Sequence, residues 1–297
     1  MGAVVLDVHK GVCKIEGVDY PIVGFGTWAL TGDICTMAVR DALEAGYRMI
    51  DTATMYKNFE GIAKALKGHD PRRLYIISKV WHDHLRPGDL RKDLHQTLER
   101  LQIDYLDTYY IHWPNSQVPI EETLGAMDEL RKAGKIRHIG LSNFTVNHLK
   151  KVLEVKVPIT WVQVEMHPHF YDGAFHHFCK NHGIAVQAWR PLNYGLIKDD
   201  AMLASIGKKY GKTPSQVSLR WIVQHECLPL PGSKNKAHLR ENLDILDFAL
   251  SKEEMQKLDQ RALSGTRFRT GAENQLGFDD EFDFSYEQCW PKNKPRN

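Results

Sequence analysis

Short apolar runs recur along the chain at 47–50, 74–78, 106–111, 137–141, 161–164, 185–188 and 227–230, and residues 22–24 supply a first one. Each reads as a buried β-strand. A charged or hydrogen-bonding residue sits at the end of one run after another: Asp51, Lys79, His112, Ser142 with Asn143, Gln163 and Ser233. In a barrel of alternating strands and helices, chemistry is carried at the carboxyl ends of the strands, so this repetition predicts one mouth lined by those side chains.

Helical patterns fill the intervals, the rhythm of repeated βα units. Residues 33–45 are amphipathic and stop at Gly46. Leu90, Leu94, Leu98 and Leu101 share one face of a helix over 89–101, and Leu124, Met127 and Leu130 mark another over 120–133 with Gly134 as its stop. Thr145 is placed to cap 146–155, Thr213 and Pro214 to open a helix through His225, and 201–210 adds a helix in the widest gap. Two segments fall outside the rhythm. Residues 12–20, with a turn at Glu16-Gly17, read as a hairpin that plugs the bottom of the barrel. The tail 265–297 carries Phe268, Phe278, Phe282, Phe284, Tyr286 and Trp290, and its aromatics favour packing over a site. The reading is a single domain over 1–297 with that tail as a substrate-shaping element.

Composition narrows the partners. The chain has 297 residues and a formal net charge of +2, which gives no reason to expect a nucleic-acid or membrane surface. Five cysteines, Cys13, Cys35, Cys179, Cys227 and Cys289, are scattered without CxxC spacing. A disulfide framework or thiolate zinc site is therefore not expected, and a reducing cytoplasm is the expected compartment. No secretory leader and no apolar stretch of the ~20 residues that span a bilayer is evident.

Missing motifs narrow the chemistry. Gly24-Phe25-Gly26 lacks the third glycine of the Rossmann phosphate fingerprint, and there is no GxxxxGK[ST] loop. Gly140-Leu141-Ser142-Asn143-Phe144 begins like a nucleophile elbow but ends in Phe. Glu165, His167 and His169 alternate as metal ligands on a strand would, yet no companion set accompanies them, so no metal is expected.

The positive constellation is Asp51, Tyr56, Lys79 and His112. An ammonium at Lys79, partly desolvated in a strand mouth, needs a carboxylate, which Asp51 at the preceding strand end can supply. A cation beside Tyr56 favours phenolate over phenol and moves its titration down from the reference of about 10. His112 could hydrogen-bond the oxygen that receives the proton. Such a set suits protonation of a carbonyl as hydride arrives. Singly, each residue has an ordinary structural explanation; jointly, complementary groups at successive strand ends argue for a site.

Several stretches together resemble the aldo-keto reductase family across almost the whole chain: Gly24-Phe25-Gly26-Thr27-Trp28, Gly46-Tyr47-Arg48-Met49-Ile50-Asp51-Thr52-Ala53 with Tyr56, Ile77-Ser78-Lys79-Val80-Trp81, Asp107-Thr108-Tyr109-Tyr110-Ile111-His112-Trp113-Pro114 and the 140–144 segment. The resemblance implies a (β/α)8 TIM barrel, with an N-terminal hairpin and a long C-terminal loop over the active site. It implies Tyr56 as general acid/base tuned by Lys79 and Asp51, with His112 orienting the carbonyl. It implies a nicotinamide dinucleotide, usually NADPH, bound in extended form without a Rossmann domain. By the same resemblance Ser142, Asn143 and Gln163 hold the carboxamide, Trp189 stacks on the nicotinamide ring, Glu241 and Asn242 contact adenine, and Thr27, Arg190, Leu192, Ser233, Lys234 and His238 fall along the nucleotide.

Three positions depart from the family pattern. Arg190 replaces the serine after the stacking aromatic, Gly232 replaces a phosphate-binding lysine, and His238 replaces an arginine that faces the ribose phosphate. Lys234, Lys236 and Arg190 are the candidates to restore positive charge. The expectation is NADPH use with NADH tolerated. Trp28, Trp81 and Trp113 would wall a pocket for small or aromatic aldehydes and ketones, including sugar-derived carbonyls. Arg267 and Arg269 would meet an acidic substrate if the tail reaches it. The partner expected is thus a small carbonyl compound, acted on by a monomer. Two other readings stand beside this one: a regulatory subunit of the same fold that binds cofactor without turnover, and a metal-dependent barrel hydrolase built on Glu165, His167 and His169.

Overall fold

The computed structural model describes residues 5–8, 10–15, 17–115 and 117–265. The tail aromatics, Arg267, Arg269, Cys289 and Glu16 lie outside the described residues. The chain opens with β1 (Val5–Asp7), β2 (Val12–Ile15) and β3 (Val18–Pro21), an antiparallel three-stranded sheet in that order. The expected hairpin is thus present, with one strand more than the alternation suggested.

Eight parallel strands follow: β4 (Phe25–Gly26), β5 (Met49–Asp51), β6 (Tyr75–Val80), β7 (Leu106–Ile111), β8 (Ile136–Ser142), β9 (Trp161–Glu165), β10 (Ala185–Trp189) and β11 (Cys227–Pro229). Each pairs with its neighbour in sequence. The ring closes where Gly24 N and Gly26 N donate to Pro229 O and Pro231 O at 3.1 and 3.0 Å. This is a (β/α)8 barrel. Its first strand is Phe25–Gly26 rather than 22–24, because pairing with β5 begins only at Phe25. Gly26 permits the closure: a Cβ there would lie 2.7 Å from the carbonyl oxygen of Leu230.

The helices are α1 (Gly32–Ala45), α2 (Phe59–Leu66), α3 (Pro87–Leu101), α4 (Ile120–Lys132), α5 (Val146–Glu154), α6 (Gly173–Asn181), α7 (Ala201–Tyr210), α8 (Pro214–Gln224), α9 (Lys236–Leu243) and α10 (Lys252–Leu263). Helix α3 buries the four leucines its spacing singled out. Thr145 and Thr213 both close capping boxes, which satisfy two backbone N–H groups at the start of each of α5 and α8. Helix α6 escaped the periodicity because it buries only Phe175 and Cys179.

Tyr20 of β3 seals the bottom of the barrel. Its ring is fully buried against Trp161 and Tyr75, which begin β9 and β6, and its hydroxyl lies 2.5 Å from His138 Nε2. The opposite mouth is left for the site. The described cysteines, Cys13, Cys35, Cys179 and Cys227, are buried and unbridged. Among the described residues no helix is long and apolar enough to cross a membrane.

Candidate active site

Strand alternation puts Asp51, Lys79 and Gln163 inside the mouth of the barrel. Lys79 is fully buried, and its Nζ lies 2.7 and 2.8 Å from the two oxygens of Asp51, 3.0 Å from the carbonyl of Thr52 and 3.3 Å from the hydroxyl of Tyr56. Burial pushes the Lys79 pKa down, and the Asp51 carboxylate opposes that shift. An ammonium has protons to give but no lone pair. The Tyr56 oxygen therefore accepts from Lys79.

Asp51 is held from a second side. Gln163 Nε2 donates to Asp51 Oδ1 at 2.9 Å and lies 3.2 Å from Gln187 Oε1, which also accepts from the Tyr110 hydroxyl at 2.8 Å. Gln187 and Tyr110 were not singled out by the sequence reading. The signal was present, since a glutamine inside the otherwise apolar run 185–188 must find a partner within the barrel.

Tyr56 rides on the short turn Thr54–Tyr56, between Trp28, with ring centres 4.9 Å apart, and His112, with centres 5.7 Å apart. Asn58 braces the turn. Its amide nitrogen donates to Thr27 and Leu30, and its oxygen accepts from the Thr52 hydroxyl. His112 follows β7, and its carbonyl accepts from Asn143 Nδ2 at 3.0 Å. Asn143 Oδ1 accepts from the Trp189 indole at 3.1 Å, so the Trp189 ring is fixed by the residue next to it in the mouth.

From this mouth a groove of about 900 Å3 runs outward. Trp28, Asp51, Tyr56, His112, Trp113, Ser142, Asn143, Gln163 and Trp189 line its inner part. Arg190, Leu192, Ser233, Lys234, His238, Glu241 and Asn242 line the remainder, together with Tyr194 and Lys198. Two expected contact residues, Thr27 and Trp81, take different places. Lys79 and Thr27 are wholly buried; the Thr27 hydroxyl is spent on the Asp51 carbonyl at 2.8 Å, so Thr27 supports the site from behind. Trp81 packs edge-on against His112, with centres 5.0 Å apart, instead of lining the groove.

Two of the three cations expected to restore positive charge are committed elsewhere. Arg190 donates to Glu165 at 2.7 Å and stacks on the Tyr194 ring, and Lys236 pairs with Asp41 at 2.8 Å and with Glu44. Lys234 lines the groove. Gly232 is itself constrained, since a Cβ there would fall 2.5 Å from the Gly26 carbonyl. Glu165, His167 and His169 do not converge on a metal position. Glu165 holds Arg190 and His167, while His169 is bound by Asp200 at 2.6 Å and Asn193 at 2.9 Å.

The sequence profile of the Aldo/keto reductase family matches residues 22–262. The chain is 41% identical to the glyoxal reductase of Bacillus subtilis over 257 residues, covering 84% of this chain and 92% of that one. It is 38% identical to methylglyoxal reductase DkgA of Escherichia coli, over 82% and 92% of the two chains. The structure of the aldose reductase from Schistosoma japonicum superposes with a TM-score of 0.81 at 32% identity, over 86% and 92%. A barrel with these strand-end groups and this likeness defines the class: the chain belongs to the aldo/keto reductase family. It is an oxidoreductase acting on carbonyl groups, in a family that generally uses nicotinamide nucleotides.

Proposed function

We propose that the protein reduces small aldehydes and ketones to alcohols with NADPH, and that Tyr56 donates the proton. The observation that carries this reading is the Tyr56 hydroxyl at 3.3 Å from the buried Lys79 ammonium, at the inner end of the groove. The groove fits an extended dinucleotide. It has about 900 Å3 of space, and it is lined by Trp189 and by Lys234, His238, Glu241 and Asn242. Ser142, Asn143 and Gln163 would hold the carboxamide, and the reduced ring supplies a hydride when the nucleotide is bound.

The chain's own groups do the rest. Lys79 keeps its charge because Asp51 grips it through both oxygens, and that charge stabilises the phenolate left when Tyr56 gives up its proton. His112, beside Tyr56, orients the carbonyl oxygen toward that proton. Trp28 and Trp113 give this part of the groove apolar walls. The wall is apolar and the named activities of the relatives are on glyoxal and methylglyoxal, which supports short dicarbonyls as the substrate class. The specificity element expected in the tail falls on residues 266–297, outside the described residues.

The test is consumption of NADPH followed by its absorbance across a panel of glyoxal, methylglyoxal, aromatic aldehydes, keto acids and sugars. Turnover of the short dicarbonyls is expected. Tight nucleotide binding without turnover of any carbonyl would overturn the reading.

A further inference from the structure

Asp93, on α3 outside the barrel wall, holds a carboxylate that the chemistry above does not use. Its side chain is 2% exposed. Its Oδ1 accepts from the Tyr109 hydroxyl at 2.6 Å and from the Thr54 hydroxyl at 3.0 Å, and its Oδ2 lies 3.1 Å from His84 Nδ1. Those partners come from β7, from the turn that bears Tyr56, and from the turn that follows β6. The Thr54 hydroxyl also lies 3.1 Å from the carbonyl oxygen of Lys79. One buried carboxylate thus ties the segment carrying Tyr56 to the strand carrying Lys79.

Tyr56 needs such a tie. It ends a single three-residue turn closed by Lys57 in the left-handed conformation, φ 54°, with a long 3.4 Å bond from Lys57 N to Thr54 O. A turn this short has no ladder of helical bonds to fix it. Asn58 braces its carboxyl end, and Thr54 is the only residue of the turn that reaches Asp93 among the hydrogen bonds of the described residues. Burying a carboxylate is unfavourable unless its oxygens are bonded, and here one of the bonds comes from a hydroxyl of the turn itself.

We propose that Asp93 is a positioning residue for the carbonyl reduction: through Thr54 it sets the approach of the Tyr56 hydroxyl to the Lys79 ammonium. The proposal rests on the reading of Tyr56 as proton donor. Misplacing a reacting group by about 1 Å costs on the order of a hundredfold in rate, so the effect belongs in kcat.

The experiment compares Asp93→Ala, Asp93→Asn and Thr54→Val in the full chain, with NADPH and methylglyoxal, in alkaline buffer where His84 is neutral. Asparagine keeps an oxygen for Tyr109 and Thr54 and offers its amide N–H to neutral His84. Asp93→Ala and Thr54→Val are expected to lower kcat by about tenfold or more with KM changed less than about twofold, and Asp93→Asn to keep kcat. The Asp93→Ala/Thr54→Val pair is expected to lose no more than the worse single variant, since the two share one path. Unchanged kcat in Thr54→Val, a change in KM alone, or an Asp93→Asn loss as large as that of Asp93→Ala overturns the proposal. If Asp93→Ala does not fold, Thr54→Val and Asp93→Asn decide it. Tyr56→Phe in the same assay separates the two readings: an active Tyr56→Phe refutes the proton donor, whereas an inactive one beside a fully active Thr54→Val refutes only the role of Asp93.

Discussion

The Arg190 guanidinium donates to Glu165 Oε1 across 2.7 Å, with both side chains buried at the rim of the mouth. Removing one partner of a buried pair leaves the other charge uncompensated, at a cost of about 3 kcal/mol or more. His167 also bonds Glu165, but burial pushes its pKa down, so it is a poor substitute cation. Arg190→Met is expected to lower unfolding stability by that amount in urea, while the ratio of kcat/KM for NADPH over NADH stays within about twofold. A collapse of that ratio would instead make Arg190 a reader of the nucleotide.

Lys234 lines the groove, whereas Lys236 is turned toward Asp41 and Glu44. A charge-assisted bond to phosphate contributes about 1.5 to 3 kcal/mol. Lys234→Ala is therefore expected to cut kcat/KM for NADPH by about tenfold and leave that for NADH within about twofold. Equal losses with both nucleotides would remove Lys234 from recognition of the additional phosphate.

Acid sensitivity has an identifiable contributor in His176, whose pKa is pushed by burial from 6.5 down to about 4 while its Nδ1 meets the Tyr171 hydroxyl at 2.7 Å. The unfolded chain takes up this proton below 6.5 and the folded chain does not, so the contribution is intact above 6.5 and is lost as pH falls toward 4. Asp107, raised to about 6 by burial, works in the opposite direction over part of the same range. His176→Gln isolates the histidine. Its thermal midpoint is expected to fall less than that of the wild type between those two pH values, as read by circular dichroism.

Gly140 faces the ring of Tyr110, where an added Cβ would lie 2.4 Å from the nearest ring carbon. That ring is fully buried and cannot retreat without releasing Gln187, and through it Gln163 and Asp51. Gly140→Ala is expected to destabilise the protein by about 1 to 3 kcal/mol and to lower kcat as well. The checks are urea denaturation and steady-state turnover on one preparation.

Much of the barrel was legible because buried parallel strands leave short apolar runs and because Leu90, Leu94, Leu98 and Leu101 repeat at helical spacing. The caps at Thr145 and Thr213 were legible for the same local reason. What lay beyond reach was set by contacts distant in sequence. The first barrel strand is fixed by bonds from Gly24 and Gly26 to Pro229 and Pro231, and no pattern within 22–26 announces that register. Asp51, Lys79 and His112 lie at or next to strand ends, and Tyr56 reaches Lys79 from the separate turn Thr54–Tyr56. The commitment of Arg190 to Glu165 and of Thr27 to the Asp51 carbonyl depends on pairings across the mouth, and no spacing encodes those. The surroundings of Asp93 likewise come from afar in the sequence: Tyr109, Thr54 and His84 reach it from three other elements.

Proton donation by the phenol held 3.3 Å from the Lys79 ammonium is the claim on which the rest depends. Its most direct test is single-turnover reduction of methylglyoxal by NADPH-loaded Tyr56→Phe, with folding verified by circular dichroism. The account predicts a rate at least about a hundredfold below the wild type, the range a positioned general acid supplies. A folded Tyr56→Phe that reduces the carbonyl at close to the wild-type rate would contradict it.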